Sequence, residues 1–338
     1  MIDPMMGEGL LSAIGGTPLV RLNRVLKDLP FNLYAKLEGL NPGGSIKDRT
    51  ALSILRQGFA TGEIGTGTVV IESSSGNMGI GLAQLCASFG LRFICVVDAK
   101  TTVQNLAILR AYGAEIELIA EPDPVSGEFL QARLDRVNAL LKTVPNSFWP
   151  NQYGNIHNPI AHQETMREIA AALEGRVDYL FCSTSTCGTV RGCAEFVRKE
   201  KLGTRMCAVD AAGSVIFGDR KSRRLIPGHG ASVMPPLLQP GLVDRVLHVT
   251  DLECVAGCRR LVREEGILAG GSSGGVLAAV TRVRSEIPPG SNCVLIFPDR
   301  GERYLETIYS DSWVEQHFGS VSHLWEKAEE GKCRVATC

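Results

Sequence analysis

The stretch Asn41-Pro-Gly-Gly-Ser-Ile-Lys-Asp-Arg49 decides how this chain is interpreted, because it places one lysine directly behind a glycine-rich turn. Pro42 and the two glycines interrupt any helix before Ser45, and Ser45 can then cap a helix that begins near Ile46 or Lys47. The helix dipole disfavours a lysine at a helix N-terminus. Such a lysine is either exposed to solvent or buried with a lowered pKa, and in the second case its amine can act as a nucleophile or base. By itself the stretch leaves both alternatives open.

The composition is that of an ordinary globular protein of about two domains. The 338 residues are 44% hydrophobic and 21% charged, and 35 Lys and Arg balance 36 Asp and Glu to a net charge of −1. This balance provides no field that would attract nucleic acid or an anionic membrane. No apolar run approaches the ~18 residues that span a bilayer, and residues 1–10 lack the basic start of a secretory signal. We therefore expect a cytoplasmic protein without nucleic-acid or membrane partners.

The eleven cysteines raise the question of a metal site or of disulfide bonds. No Cys-x-x-Cys pair is present, and most cysteines lie in apolar runs such as Phe93–Val97 and Cys293–Phe297. Spacing and surroundings favour buried free thiols in a reducing cytosol. We expect no metal site.

Strand-like and helix-like segments alternate along most of the chain, which predicts parallel sheets covered by helices. The predicted strands are Thr68–Glu72, Arg92–Asp98, Glu115–Ala120, Tyr179–Ser183, Met206–Asp210 and Asn292–Phe297. The predicted helices are Met78–Phe89, Val103–Tyr112, Glu128–Lys142, His162–Leu173, Thr189–Lys199, Leu252–Glu265 and Gly274–Ser285. Residues 213–240 form an irregular stretch that is too long for a simple connection, so we expect it to be functional.

Three loops rich in Gly, Ser and Thr lie where open α/β sheets bind ligands. Ser73–Gly79 offers hydroxyls, amides and the carboxamide of Asn77 to a carboxylate or a phenolic oxygen. Ser183–Thr189 offers hydroxyls and a helix start to a phosphate, and its lack of a Walker lysine argues against a nucleoside triphosphate. Ala269–Gly275 combines four glycines, which permit close approach of a flat ligand, with Ser272, whose hydroxyl can meet a ring nitrogen. Taken singly, each loop is also explained as a capped turn or a flexible connection.

Taken in order, the lysine motif, Ser-Ser-Gly-Asn, the Ser/Thr/Gly loop and Gly-Ser-Ser-Gly resemble the cysteine synthase family of fold-type II pyridoxal-5′-phosphate enzymes. The resemblance extends from Gly15-Gly-Thr-Pro-Leu19 to Gly301-Glu-Arg-Tyr-Leu305. It implies an α/β fold like that of tryptophan synthase β, with two three-layer αβα lobes and mostly parallel twisted sheets. It further implies a homodimer. Within each chain it implies a large cofactor-binding domain (1–46 and 150–318), a small mobile domain (47–149) and a C-terminal tail (319–338).

The resemblance also implies β-replacement chemistry with pyridoxal 5′-phosphate as cofactor and an α-aminoacrylate intermediate. Lys47 is expected to form the Schiff base with the cofactor and later to remove the Cα proton. Asn77 is expected at the 3′ oxygen of the cofactor, and Ser272 at its pyridine nitrogen. The residues expected to hold the cofactor phosphate are Ser185, Thr186, Cys187, Gly188 and Thr189. Those expected around the substrate α-carboxylate are Ser74, Ser75, Met78 and Gln152.

Several positions depart from ordinary cysteine synthases. Ser185-Thr-Cys-Gly-Thr189 stands where Gly-Thr-Gly-Gly-Thr is usual, and Tyr153 stands where phenylalanine is common. Val209–Asp219, taken with Asn41–Arg49, Pro298–Tyr304 and Tyr309–Trp313, resembles a siderophore-pathway branch of the family that joins O-phospho-L-serine and L-glutamate on the route to 2,3-diaminopropionate. Arg133, Tyr153 and Ser185 are then candidates for the substrate phosphate, and the alternative for Arg133 is a solvated helix face. A cysteine synthase that combines O-acetylserine or O-phosphoserine with sulfide stays open as the other function.

Two further groups bear on the second substrate. A basic cluster in the irregular stretch could attract the carboxylates of glutamate, although it could equally be a solvated charge run. This basic cluster consists of Arg220, Lys221, Arg223 and Arg224. No histidine is predicted as the base for the incoming amine, because His162 is expected to be structural and His229, near the mouth of the site, has no evident partner.

Overall fold

The computed structural model describes residues 9–125 and 127–325. The strands within them are β1 (Leu19–Arg21), β2 (Asn32–Leu37), β3 (Val69–Ser73), β4 (Arg92–Asp98), β5 (Glu115–Ile119), β6 (Ser147–Phe148), β7 (Tyr179–Ser183), β8 (Arg205–Ala211), β9 (Arg245–Val249) and β10 (Asn292–Phe297). The helices are α1 (Lys47–Thr61), α2 (Asn77–Phe89), α3 (Val103–Ala111), α4 (Phe129–Thr143), α5 (His157–Ala172), α6 (Gly188–Lys199), α7 (Asp251–Arg260), α8 (Gly271–Val283) and α9 (Asp311–Phe318). Residues 213–240 contain neither helix nor strand, as predicted.

The strands form two separate sheets. One has six strands in the order β1-β2-β10-β7-β8-β9, in which every neighbouring pair is parallel except β1 with β2. The other has four parallel strands in the order β5-β4-β3-β6. Parallel sheets need crossover helices between their strands, and the chain supplies them in the alternating order that the sequence predicts. The α/β fold class is confirmed.

Each sheet is covered on both faces, which makes each lobe three layers deep. On β4, Phe93, Cys95 and Val97 pack with residues of α1, α2 and α3, whereas Ile94 and Val96 pack with residues of α4. Because successive side chains of a strand point to opposite faces, these alternating sets belong to the two faces of the four-stranded sheet. Burial on both faces explains why β3 and β4 read as continuous apolar runs.

The six-stranded sheet has the same construction. On β10, one set of side chains packs with residues of α7 and α8, and the alternate set packs with residues of α5 and α6. The first set is Cys293, Leu295 and Phe297, and the second is Val294 and Ile296. The expected pair of three-layer αβα lobes is therefore present.

The predicted elements agree with the observed ones to within a few residues, but several elements were not predicted. These are the strands β1, β2, β6 and β9 and the helix α9. Strand β2 contains Lys36, which is only 1% exposed. A charged residue inside a short segment does not indicate a buried strand, so β2 was missed. Strand β6 has only two residues, and no local periodicity can identify a strand that short.

A buried ion cluster fixes the start of α1 against α5. Arg49 donates through Nε to Oε2 of Glu38 at 2.7 Å and through Nη1 to Oε1 of Glu168 at 2.7 Å. Lys36 completes the cluster with an ion pair to Glu168 at 2.5 Å. Two cations thus face two anions, and all four side chains are between 0% and 13% exposed. Since Arg49 lies two residues after Lys47, the cluster also holds the helix turn that carries Lys47.

The predicted domain boundaries remain a proposal. All strands of the four-stranded sheet lie between residues 69 and 148, inside the predicted small domain of residues 47–149. The predicted tail begins at residue 319; its Trp325 is buried in the core beside Arg259, and residues 326–338 lie outside the described part.

Two further properties bear on the environment of the protein. All nine cysteines of the described residues are buried and free, in agreement with the expected reduced thiols. In the part of the chain that the structure describes, no helix combines the length and apolarity needed to cross a bilayer.

Candidate active site

A cavity of about 980 Å³ opens beside the carboxyl ends of β3, β7 and β10. Loops at these ends form its walls, as in other open α/β sheets that bind ligands. The fourteen residues predicted for the site all line this one cavity: Lys47, Ser74, Ser75, Asn77, Met78, Arg133, Gln152, Tyr153, Ser185, Thr186, Cys187, Gly188, Thr189 and Ser272. The fold therefore brings sequence motifs that are spread over more than 200 residues of chain to one cavity.

Lys47 is the first residue of α1, lines the cavity and is partly buried as a residue. The capping position of α1 is Ile46 and not the predicted Ser45, although the Ser45 hydroxyl accepts a hydrogen bond from the Lys47 backbone N–H at 3.2 Å. Burial lowers the pKa of the Lys47 amine to about 8, although Asp299 and Cys187 oppose this shift. An amine with that pKa is partly neutral at physiological pH, which is what a nucleophile or base requires. The alternative of a solvent-exposed lysine is wrong.

Asn77, the first residue of α2, has its carboxamide orientation determined by two neighbours. Its Nδ2 donates to Oδ2 of Asp299 at 2.8 Å, and its Oδ1 accepts from Nη1 of Arg303. One hydrogen on Nδ2 is left for a ligand, so Asn77 faces the cavity as a donor. Tyr304 donates to the same carboxylate oxygen of Asp299 at 2.5 Å. Asp299, Arg303 and Tyr304 had no predicted role, and their position after the predicted strand β10 was the signal for one.

The loop from Ser185 to Thr189 leads into the N-terminus of α6, where free backbone N–H groups favour an anion. Cys187 adopts φ of +66°, a left-handed conformation that explains why glycine is usual at this position. Gly188 lies so close to Asn158 that an added Cβ would be 2.0 Å from its Oδ1. Asn158 in turn donates to the Thr186 hydroxyl at 3.2 Å. The loop is therefore held in place by Asn158 and by the bond from the Gly188 N–H to the Thr186 hydroxyl at 3.3 Å.

Ser272 lies in the first turn of α8, which begins at Gly271, earlier than the predicted Gly274. The predicted flexible or ligand-approaching loop is thus partly helix. An added Cβ on Gly274 would be 2.0 Å from the carbonyl oxygen of Cys254, so this glycine allows α8 to pack closely against α7 rather than against a ligand. The Ser272 hydroxyl lines the cavity and makes no hydrogen bond to the described part of the chain.

The Ser74 hydroxyl caps the N-terminal turn of α2 and is not free to bind a ligand in the cavity. It accepts from the Gly79 N–H at 2.9 Å, so the explanation as a capped turn holds for this side chain. Met78 is 2% exposed and packs in the core of the four-stranded sheet while touching the cavity. What this loop offers a ligand is therefore the carboxamide of Asn77 and those backbone amides that the protein leaves free.

Arg133 of α4 is buried in the cavity wall, so the alternative of a solvated helix face is wrong. Its Nη1 donates to the Ser75 hydroxyl at 2.7 Å, and its Nε lies 3.2 Å from Oδ2 of Asp98. Ser75 also donates to Asp98 at 3.1 Å. The guanidinium is thereby oriented by two partners, which prepares it for a bidentate oxyanion ligand.

A buried glutamate joins the segment that carries Gln152 to the loop that follows β3. Glu72 accepts hydrogen bonds from the backbone N–H of Gln152 at 3.1 Å, from that of Ser73 at 2.7 Å and from Nε1 of Trp149 at 3.2 Å. Burial raises the pKa of Glu72 to about 7, against these donors. Burial also raises the pKa of the Tyr153 hydroxyl, which therefore stays protonated as a donor. Glu72 was not predicted, because it lies in an apolar strand pattern.

The four members of the basic cluster differ in their position relative to the cavity. Arg220 is exposed and does not line the cavity, whereas the other three members do. Lys221 forms an ion pair with Glu128, and Arg224 donates to the Ser232 hydroxyl at 2.8 Å. The solvated-charge interpretation thus holds for Arg220 and fails for Arg224, which is partly buried.

The ring nitrogens of His229 and His162 contact other groups of the protein, so neither histidine is positioned to deprotonate the incoming amine. His229 lines the cavity, but its Nε2 lies 3.1 Å from the Val209 carbonyl oxygen and its Nδ1 lies 3.6 Å from Sγ of Cys254. His162 is fully buried, with Nε2 at 3.1 Å from the Thr50 hydroxyl. Burial lowers the pKa of both rings, which are neutral and structural.

The comparisons with known proteins agree with this geometry. Residues 10–299 match the family model described as pyridoxal-phosphate dependent enzyme. A relative from Ralstonia nicotianae, named N-(2-amino-2-carboxyethyl)-L-glutamate synthase, is 47% identical over 311 residues, which cover 92% of both chains.

Solved structures share the same fold. The O-acetylserine sulfhydrylase isoform 3 of Entamoeba histolytica superposes with a TM-score of 0.84 at 32% identity, covering 98% of this chain and 95% of the other. The O-acetylserine-dependent cystathionine β-synthase of Helicobacter pylori has a TM-score of 0.83 at 32% identity, covering 90% of this chain and 100% of the other.

Proposed function

This chain belongs to the family of pyridoxal-phosphate dependent enzymes, and from that premise we propose that it joins O-phospho-L-serine and L-glutamate. It is an enzyme of the β-replacement type. In the proposed reaction the bond between Cβ of O-phospho-L-serine and its phosphate oxygen breaks, and the amine nitrogen of L-glutamate forms the new bond to Cβ. The products are N-(2-amino-2-carboxyethyl)-L-glutamate and phosphate, which would serve 2,3-diaminopropionate and siderophore biosynthesis.

The observation that carries this proposal is the buried guanidinium of Arg133 in the cavity wall. A phosphate monoester has close to two negative charges at neutral pH, and a fixed guanidinium matches its oxygens in a bidentate manner. Tyr153 and Ser185 line the same cavity and add hydroxyl donors. An acetyl ester carries no charge, so it would gain less than a phosphate from this guanidinium, whose partner within the protein is Asp98 at 3.2 Å. The identity to the Ralstonia nicotianae relative supports the same substrates.

The residues of the cavity fit the cofactor of the family. The buried Lys47 amine, the Asn77 donor, the Ser272 hydroxyl and the N-terminus of α6 supply one partner for each of its polar groups. When bound, pyridoxal phosphate provides the electron sink for loss of the Cα proton and the β leaving group. Lys47 would carry the cofactor and move the Cα proton through Nζ. Ser272, as a neutral partner, would leave the ring nitrogen uncharged, which favours elimination over transamination.

A cysteine synthase that combines O-acetylserine or O-phosphoserine with sulfide is the second candidate. The fold shared with the Entamoeba histolytica sulfhydrylase is the observation in its favour. The two functions differ in leaving group and in nucleophile, so both can be tested with one set of reactions.

The test supplies holoenzyme with O-phospho-L-serine or O-acetyl-L-serine, each with L-glutamate or with sulfide. We expect phosphate release and the mass of the glutamate adduct from the first combination, well above the other three. Arg133→Gln should lower kcat/KM for O-phospho-L-serine by about 100-fold, from the ~3 kcal/mol of a charged hydrogen bond, and leave that for O-acetyl-L-serine within a few-fold. Arg136→Gln is the matched control on α4, because Arg136 forms a surface pair with Glu117 at 2.8 Å. Faster turnover of O-acetyl-L-serine with sulfide would establish the second candidate instead.

The role of Lys47 has its own test. Lys47→Ala should lose the cofactor on dialysis, which is measured by visible absorbance, and should release no phosphate. Full turnover with retained absorbance in this variant would remove Lys47 from the mechanism.

We also propose that the protein is a homodimer of cytoplasmic location. The homodimer follows from the family resemblance, and light scattering in solution measures it directly. The location is supported by the free thiols of the described residues, which suit a reducing compartment.

A further inference from the structure

Arg224 lies in the cavity wall, on a stretch that is fixed in place although it has no regular secondary structure. Asp251, at the start of α7, accepts a hydrogen bond from the Leu225 backbone N–H at 2.9 Å. On the other side, the Gly230 backbone N–H donates to the Thr184 carbonyl at 2.7 Å. The guanidinium is thus presented by a fixed backbone, which reduces the ordering cost of binding a ligand.

The guanidinium of Arg224 has no carboxylate partner in residues 9–125 and 127–325. Its Nη2 donates to the Ser232 hydroxyl at 2.8 Å, and its buried Nη1 has no hydrogen-bond partner there. Burial lowers the pKa of Arg224, while Asp210, Asp251 and Glu128 raise it without forming an ion pair. A partly buried cation without a paired anion costs free energy. The buried Nη1 is closed to the cavity, but an anion that approaches the accessible part of the guanidinium would balance the charge.

Three other cationic side chains of the cavity are either paired with a carboxylate or exposed to solvent. Arg133 is paired with Asp98, Lys221 is paired with Glu128, and Arg223 is exposed. The space for Arg224 depends on Gly230, which has φ of +72° and on which an added Cβ would lie 2.6 Å from Nη1 of Arg224. The fold therefore leaves room for this guanidinium while leaving it unpaired.

We infer that Arg224 binds the side-chain carboxylate of the incoming amino acid and thereby selects an acidic acceptor. This inference rests on the proposed function, in which L-glutamate is the nucleophile. The loops Ser73–Gly79 and Ser183–Thr189 are the expected sites of the α-carboxylate of the first substrate and of the cofactor phosphate. The acidic side chain of the acceptor needs a cation of its own, and a guanidinium matches a carboxylate through two parallel hydrogen bonds.

A neutral acceptor of the same shape makes the inference measurable. L-glutamine is isosteric with L-glutamate but leaves the Arg224 charge without an anion, so the wild-type enzyme should prefer glutamate. The preference is the ratio of the two kcat/KM values, measured at saturating O-phospho-L-serine. Loss of one partner of a desolvated charge pair changes such a ratio by about 100-fold.

The experiment compares the holoenzyme with Arg224→Gln, Arg224→Lys, Arg223→Gln and Arg220→Gln. Arg224→Gln should lower the glutamate-to-glutamine ratio about 100-fold, and the KM for O-phospho-L-serine should change less than about threefold because Arg133 serves that substrate. Arg224→Lys should keep an intermediate ratio, because it keeps the charge but loses the bidentate geometry. Arg223→Gln and Arg220→Gln should keep the wild-type ratio, since both side chains are exposed and Arg220 does not line the cavity.

The possible outcomes separate this inference from the proposed function. A wild-type ratio in Arg224→Gln, or an equal loss in Arg223→Gln, would overturn the role of Arg224 while glutamate remains a substrate. If Arg224→Gln does not retain the cofactor, the ratio in Arg224→Lys decides, and a wild-type value there contradicts bidentate binding. A wild-type enzyme that releases phosphate but never consumes glutamate would overturn the proposed function, and the inference with it.

Discussion

Replacement of Arg49 by methionine should destabilise the fold strongly, because it removes the cation that two buried carboxylates share. Arg49 makes four charged hydrogen bonds, two to Glu38 and two to Glu168, at 2.7 to 2.9 Å. In Arg49→Met only Lys36 is left to face both carboxylates, and Glu38 is fully buried. Removal of one partner from a buried ion pair costs about 3–5 kcal/mol. We expect a loss of this size in the free energy of unfolding.

Chemical unfolding of the holoenzyme at pH 7, with the same cofactor concentration throughout, measures the loss. The control is Arg92→Met, which breaks a surface pair with Glu115 whose side chains are 63% and 51% exposed. Exposed pairs contribute about 0–1 kcal/mol, so the control should stay close to the wild type. A loss in Arg49→Met no larger than that of the control would refute the view that this cluster holds α1 in place.

The same cluster has a predictable acid dependence. Burial would raise the pKa of Glu168, but hydrogen bonds from Arg49 and Lys36 outweigh it and lower the pKa from 4.5 to about 2. A carboxylate with a lower pKa in the folded state stabilises the fold above pH 4.5, and this contribution is lost as the pH falls towards 2. Since Arg49→Met has already lost part of that contribution, the stability difference between the two proteins should narrow over this range. A difference that stays constant down to pH 3 would contradict the assignment.

Two further predictions concern the cofactor site. Gly188→Ala should weaken pyridoxal phosphate binding at least about tenfold, because the new Cβ would lie 2.0 Å from the Asn158 carboxamide. Equilibrium dialysis measures the affinity, and Gly203→Ala is the control, because no atom lies within 4 Å of its Cβ position. An equal loss of affinity in this control would exclude the steric explanation. The rate at which apoenzyme captures the cofactor should rise with pH through a midpoint of about 8, since the neutral Lys47 amine is the reactive form. Asp299→Asn should move this midpoint down, because Asp299 raises the pKa of Lys47; an unchanged midpoint would show that Asp299 does not act on the amine.

Local sequence patterns were sufficient for the elements that carry the site. The strand Tyr179–Ser183 was predicted with its observed limits, and Arg92–Asp98 likewise, because both are apolar runs bounded by turn residues. The start of α8 was predicted too late, since glycines usually interrupt helices. Only the contact of Gly274 with the backbone of α7 explains why glycine is used within a helix there.

The sequence predicted residues that line one cavity, but it did not predict the electrostatics of that cavity. Each member of the basic cluster has the same charge and similar neighbours in the sequence, yet Lys221 is paired and Arg224 is not. The partner of Lys221 is Glu128, which is 93 residues away in the chain. No local pattern contains such a pairing.

The α/β class, the order of the Gly/Ser/Thr loops and the position of Lys47 at a helix start follow from the amino-acid sequence, because they depend on periodicity and turn chemistry within a few residues. The ionisation of the site depends instead on the folded chain. The pKa of Lys47 is near 8 because burial, opposed by Asp299 and Cys187, acts on the amine across long chain separations. Desolvation and Coulomb interactions depend on distance in space, and the chain sets those distances only when it is folded.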